Sequence, residues 1–552
     1  MKKVFLVAIV LLVLGLAAHA ITSYRKYNVI LITIDTLRPD YLSCYNPEAQ
    51  PTPNIDRIAQ NGVMFRNAFT LIPITMPSHA SILTSRQPHE LRLFNNGDRF
   101  QHNVPMLPEL LERKGYKSAA FVSLGVLGRK FGLAQGFDVY EDNFENINGR
   151  YYKVASEVND VVLPWIEREK KKHFFAWIHY SDPHEPYVTV DAPSDTEVLV
   201  DEVSHMKITL AKKEKNTVSF TARPGETTIE FRALDNRKGK RGKPDESKRF
   251  IDPKIVLSSL EGIELLYGTD WTDIKLRNGQ KVRYFEKSAV MKVVNTNPSP
   301  VPLQLRFSGG VWEDRAGEIR ANYTAEVQYT DKYIGILWDR LKELGLLNHT
   351  IIVVTADHGE GLKTHGILGH VDQLWNETMH IPLIIYYPGL GTRGAKPDAL
   401  VNLLDIMPSI LDLLHVHNEK PMKGQSLKRY ISRSPLDWIF SKPVQRNWTY
   451  ACTMTPQAAH NAYAITDGKI KIIRSPTKKI PWEVYDLGTD AIEKRNIARY
   501  DPGRFETMST ARGLLEGYRR EIEPQHERRN PAPGEEEREI LQNLGYVGGD
   551  TP

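Results

Sequence analysis

Residues 28–36 read NVILITIDT, an unbroken apolar and β-branched run that ends on a carboxylate at Asp35. Val29 to Ile34 is too short for an ordinary helix and shows no polar alternation, so it is read as a strand buried on both faces. Two further runs repeat the design. Phe174 to Ile178 leads into Asp182, and Ile351 to Val354 leads into Asp357. Helix-like stretches lie between them, at Ile55 to Gln60, Met106 to Lys114 and Val158 to Arg168. Strands alternating with helices predict an α/β sheet, and polar residues just past the strand ends are where such sheets hold ligands.

The alternation breaks over 188–309, where period-2 runs appear: Val218, Phe220 and Ala222, then Ile229, Phe231 and Ala233, on either side of Pro224-Gly225. A β-rich insertion, a small sandwich, is expected there. Arg237 to Arg249 is rich in Lys, Arg and Gly and is read as an exposed loop within it. The catalytic domain is therefore expected in two pieces, 27–187 and 310–420. A long helix, Ala321 to Leu344, returns the chain to the sheet, followed by a strand at Ile381 to Tyr387 and a helix at Leu403 to Leu414. A smaller α+β subdomain is expected over 421–500, with a hairpin at Asp467-Gly468, and a helical tail over 501–552.

The 552 residues are 41% apolar and 25% charged, the balance of a globular protein, and the net charge of +5 is diluted over a large surface. Lys2 and Lys3 precede an apolar run, Val4 to Leu16, and an Ala-x-Ala pattern ends at Ala20. Residues 1–20 are read as an export signal, with a retained N-terminal anchor as the alternative, so a periplasmic or extracellular location is expected. Membrane contact is expected only if that segment is kept. Cys44 and Cys452 are too few for a disulfide scaffold or a cysteine zinc site. No zinc-finger spacing or aromatic and basic interleaving points to nucleic acid.

Chemistry concentrates in three places. The run 355–360, TADHGE, sets Asp357 beside His358 after a buried strand, and Asp35 ends another strand. Two carboxylates and an imidazole make a mixed oxygen and nitrogen donor set suited to zinc or manganese, with calcium as a further candidate. In the third place, 71–86, Pro77 suits the first turn of a helix and Thr75 falls at its start. Such a threonine can be a plain helix cap, or it can face an anionic ester with backbone N–H groups and a cation beside it.

Taken together, NVILITIDTLRPDYLSCY (28–45), TPNIDRIAQNGVMFRNAF (52–69), TMPSHASILTS (75–85), residues 325–360 and IPLIIYYPG (381–389) resemble the sulfatase branch of the alkaline phosphatase superfamily. Their order is far more specific than any one of them. The resemblance implies a three-layer sandwich around a mixed, mostly parallel sheet. It also implies a divalent metal on Asp35, Asp357 and His358, with Thr75 at the nucleophile position. The chain departs from the sulfatase pattern at several positions. Sulfatases carry Cys or Ser, converted to formylglycine, where Thr75 stands, Arg where His79 stands, and a second Asp where Thr36 stands. The Lys and His expected after GYKSAAF are absent, since 122–127 reads VSLGVL.

Threonine at the nucleophile resembles instead the phosphodiesterases, phosphatases and phosphotransferases of the superfamily. The expected activity is therefore cleavage of a phosphate mono- or diester through metal-activated Thr75, assisted by His184 or His370. Asp182, His365 and His79 are further candidates for substrate contact or a second ion. A sulfuric ester hydrolase acting on a carbohydrate or other sulfate ester, and an inactive glycan-binding member of the fold, are the alternatives. The expected partner is an anionic ester, as part of a glycan or a lipid headgroup.

Overall fold

The computed structural model describes residues 26–544 except 102–103, 145–150, 186–195, 202, 209–215, 234–247, 252–262, 268–271, 276–280, 286–287, 308, 313–315, 372, 390, 392, 455–460, 479–480 and 528–533. The expected export signal and most of the expected basic loop at Arg237 to Arg249 lie outside the described residues.

The three apolar runs are strands of one sheet. Its strands in chain order are β1 (Asn28–Ile34), β2 (Val63–Phe65), β3 (Lys117–Phe121), β4 (Val139–Glu141), β5 (Phe174–Tyr180), β6 (Thr350–Thr355) and β7 (Leu383–Tyr386). Their order across the sheet is β2-β7-β6-β1-β5-β3-β4. β1 runs parallel to β6 on one side and to β5 on the other, while β7 is antiparallel to both of its neighbours. The sheet is thus mixed and mostly parallel. All seven residues of β1 and of β5 are buried, which is why neither shows alternation. Truncating a residue such as Ile32 to Ala would cost about 2–5 kcal/mol.

The accompanying helices include α1 (Pro53–Asn61), α2 (Thr75–Thr84), α3 (Leu107–Glu112), α4 (Ala155–Glu169), α5 (Ala316–Glu343) and α6 (Ile406–Leu413). Every residue of α2 is buried, so this helix crosses the interior rather than resting on a surface. It stops at Ser85, whose left-handed φ of 54° ends the helix and whose Oγ donates to the Leu404 carbonyl at 2.8 Å.

The chain divides into two compact units. One comprises 1–144, 151–184 and 327–552; the other comprises 145–150 and 185–326. The described strands of the second unit form sheets of five, four and two strands. The runs flanking Pro224-Gly225 do not pair with each other: Asn216–Ala222 pairs with Val301–Phe307, whereas Gly225–Ala233 pairs with Ser288–Asn295 and Thr196–Val200. In the first unit, Thr449–Thr453, Ala462–Thr466, Ile470–Arg474 and Trp482–Asp486 form a four-stranded antiparallel sheet, with Asp467-Gly468 turning the central hairpin. Among the described residues no helix is long and apolar enough to cross a membrane.

Candidate metal centre and active site

Parallel pairing sets the site. β1 and β6 are in register from Asn28 opposite Thr350 to Thr33 opposite Thr355, so the two chains leave the sheet together and deliver Asp35 and Asp357 to the same place. Asp35, Asp357 and His358 are each 0% exposed, and one ligand atom from each lies within 4.8 Å of the others. Among the described residues this is the one such group of three. His358 Nε2 stands 3.2 Å from Asp357 Oδ2 and 3.8 Å from Asp35 Oδ1.

Backbone groups fix the ligand orientation. His358 Nδ1 donates to the Gly359 carbonyl at 2.9 Å, which leaves the Nε2 lone pair facing the carboxylates. Asp357 Oδ1 accepts the His358 N–H at 2.9 Å and the Thr36 N–H at 3.3 Å. Thr36 is bent to do this: its φ of 56° is costly for a β-branched residue, and its Oγ1 holds the Pro183 carbonyl at 2.6 Å. No protein hydrogen bond reaches Asp357 Oδ2 or either oxygen of Asp35 among the described residues. Buried carboxylate oxygens left this way are costly without a cation, so the donor set fits a divalent metal.

The electrostatics agree. Burial raises the Asp357 carboxyl well above the usual range, and the neighbouring Asp35 charge adds to it. Burial acts on Asp35 in the same sense, but the neighbouring His179, foremost, and His184 outweigh it and hold that carboxyl below the usual range. Burial, reinforced by His370, pushes the His358 imidazole down to about 3, so it stands neutral, as a ligand must.

Thr75 is the first residue of α2, and its Oγ1 lies 3.3 Å from His358 Nε2. The expected cradle of helix N–H groups is largely spent elsewhere. The Met76 N–H donates to Asn96 Oδ1 at 2.9 Å, Pro77 has none, and the Ser78 N–H bonds to the Ile74 carbonyl at 3.1 Å.

His79, one turn along α2, is wholly buried. Its ring spans the Thr75 carbonyl at 2.8 Å and Thr33 Oγ1 at 3.0 Å, with Nδ1 3.7 Å from Asp357 Oδ2. Burial and the neighbouring His179 push it down to about 3. It therefore ties the start of α2 to β1. His370 lies against His358 with ring centroids 4.3 Å apart and planes tilted by 34°, and faces Glu360, while His184 meets His370 edge-on at 5.5 Å.

Two candidates stand apart from the three ligands. Asp182 accepts the Ala155 N–H at the start of α4, and burial pushes its carboxyl up to about 8. His365 stacks on Trp375 at 4.1 Å and bonds Glu377 at 2.9 Å and the Glu493 carbonyl at 3.1 Å. It fastens a loop to the C-terminal part of the chain.

Three residues of the neighbourhood went unremarked in the sequence. His179, on β5 opposite Thr33, points Nε2 at Asp35 Oδ2 from 3.5 Å and is 0% exposed. Ser123 binds its other nitrogen, and Asn96 holds the start of α2. His179 was within reach of the strand-end rule, since it closes the same apolar run as Phe174 to Ile178. Ser123 and Asn96 carry no comparable signal.

Comparison with known proteins follows the same lines. The family model "Sulfatase" matches residues 27–416, and the model "N-sulphoglucosamine sulphohydrolase, C-terminal" matches 366–514. The N-acetylglucosamine-6-O-sulfatase of Bacteroides thetaiotaomicron is 25% identical over 88% of this chain and 85% of its own. The human iduronate 2-sulfatase is 28% identical over 68% of this chain and 62% of its own. A protein solved in complex with its substrate D-glucosamine-2-N,6-O-disulfate shares the fold, with a TM-score of 0.59 at 20% identity over 92% of this chain and 99% of that one. These relatives overturn the phosphate-ester expectation drawn from Thr75. Both curated relatives are carbohydrate sulfatases, and the likeness runs through the segments that carry Thr75, Asp35 and Asp357. One side chain at the nucleophile position was too narrow a basis for choosing phosphorus over sulfur.

Proposed function

Because the chain belongs to the sulfatase family, we propose that it hydrolyses a sulfate ester on a carbohydrate, of the glycosaminoglycan kind, outside the cytoplasm. The observation that carries this reading is the 25% identity to an N-acetylglucosamine-6-O-sulfatase along 88% of the chain, joined to a buried Asp35, Asp357 and His358 cluster with unpaired carboxylate oxygens. The basic and apolar pattern of residues 1–20, read as an export signal, supports the location.

One divalent cation, calcium, manganese or zinc, bound by those three side chains would draw electron density from a sulfate oxygen and favour attack at sulfur. In this reading the sulfate group lies over Thr75 Oγ1, 3.3 Å from His358 Nε2. His79 keeps Thr75 in place through the Thr75 carbonyl. His184 and His370, ring to ring at 5.5 Å, are the imidazoles assigned in this reading to deliver a proton to the leaving sugar oxygen.

Sulfate release from heparan-type and chondroitin-type oligosaccharides, measured by ion chromatography beside matched phosphosugars, tests the reading. Sulfate release abolished by Asp35→Asn is the expected result. Turnover of the phosphosugars alone would overturn it.

A further inference from the structure

His179 and His358 are both wholly buried beside Asp35, yet the backbone holds their rings in opposite tautomers. At His358 the acceptor is a carbonyl, Gly359 O, so Nδ1 carries the proton and Nε2 is a lone pair. At His179 the relation is reversed. The Ser123 N–H, which can only donate, faces Nδ1 at 3.4 Å, and Ser123 Oγ lies 2.7 Å from the same nitrogen. Nδ1 is therefore the acceptor, and the proton sits on Nε2. Nε2 lies 3.5 Å from Asp35 Oδ2, longer than a formed hydrogen bond, and neither atom has a hydrogen-bond partner among the described residues, so each is left facing the other.

We propose that Ser123 and His179 form a positioning pair for Asp35: Ser123 fixes the tautomer, and the His179 Nε2–H steers Oδ2 so that Oδ1 is presented to a cation shared with Asp357 and His358. On this proposal His179 closes on Asp35 as a donor when the cation is bound, and is not itself a ligand. The geometry agrees, since His179 is absent from the group whose ligand atoms lie within 4.8 Å of one another. Partners of this kind orient ligands and typically account for 10–100-fold in metal affinity. The pair is assembled from the ends of neighbouring parallel strands: β3 precedes Ser123, and β5 carries His179. The inference rests on the cation site used in the proposed function.

The test is calorimetric titration of chelator-stripped full-length protein with calcium, manganese or zinc alone, for wild type, His179→Leu, His179→Gln and Ser123→Ala. Thermal unfolding of each without metal serves as the fold control. The expected result is an affinity about 10–100-fold weaker for His179→Leu. His179→Gln, whose amide N–H can take the place of Nε2–H, recovers part of it, and Ser123→Ala shifts it in the same direction by less. Wild-type affinity in His179→Leu overturns the proposal while leaving the cation site intact. If His179→Leu does not fold, His179→Phe, which keeps a ring and removes the N–H, decides: unchanged affinity overturns the proposal. A wild-type protein that takes up none of the three cations overturns the site and the proposal together.

Discussion

Asp35 and Asp357 leave adjacent parallel strands from paired positions, Thr33 opposite Thr355, and bring two carboxylates into one buried cluster in which three of their four oxygens accept no protein hydrogen bond. Like charges so arranged are unfavourable until a cation joins them.

A first prediction concerns this opposition between stability and function. In chelator, Asp357→Asn removes a carboxyl whose ionisation burial and Asp35 already oppose, so its Tm should equal or exceed that of wild type by a few degrees, on the scale of about 2–4 °C per kcal/mol for domains of some 150–250 residues. In the presence of the cation the order should reverse, because only wild type gains binding free energy. Differential scanning calorimetry with and without chelator checks both halves.

Thr75 separates binding from turnover. Thr75→Ala should lower kcat for sulfate release by at least about a hundredfold, on the scale of lost interactions made at the reacting centre. Cation affinity, measured by titration, should change little, since the three ligands are untouched. A Thr75→Ala enzyme with wild-type kcat would remove Thr75 from the chemistry.

His365 should behave as a structural residue. Burial opposes its protonation, but Glu377 and the Glu493 carbonyl outweigh this and raise its pKa above the usual histidine value. A raised histidine contributes stability that is complete below the unfolded pKa of about 6.5 and disappears as pH rises through the folded value. Relative to His365→Gln, wild type should therefore be most stabilised near pH 5 to 6 and lose that advantage in alkaline buffer. Sulfate release by the variant at neutral pH should remain within a few-fold of wild type.

Asp182 runs the other way. Burial pushes its carboxyl up to about 8, far above the ordinary aspartate value of about 3.9, so between those values the folded state keeps a proton that the unfolded state has released. Folding stability should fall with rising pH across that window through this group. Asp182→Asn keeps an acceptor for the Ala155 N–H and removes the charge, so its Tm should gain on wild type as pH moves from 5 to 8. Metal content measured by mass spectrometry should be the same in both, because Asp182 faces α4 and not the ligands.

Much of the fold was legible because burial on both faces leaves a plain mark. β1, β5 and β6 appear in the sequence as short apolar runs, and Asp35 and Asp357 are conspicuous at their ends. Thr75 was found from Pro77 and the helical pattern after it. The histidines were less readable. His79, His179, His184, His365 and His370 are the same residue type, yet one ties α2 to β1, one faces Asp35, two meet ring to ring and one anchors a loop.

The sequence by itself determined the parallel strands, the family and the carboxylates, since hydrophobic periodicity and ordered motifs are local along the chain. Only the tertiary structure decided which imidazole nitrogen carries a proton, which N–H groups of α2 are already taken, and that Ser123 stands behind His179. Those facts depend on hydrogen bonds between residues far apart in sequence, from Ser123 to His179 and from Asn96 to Met76. The pairing of strands and loops fixes them, and no local pattern records it.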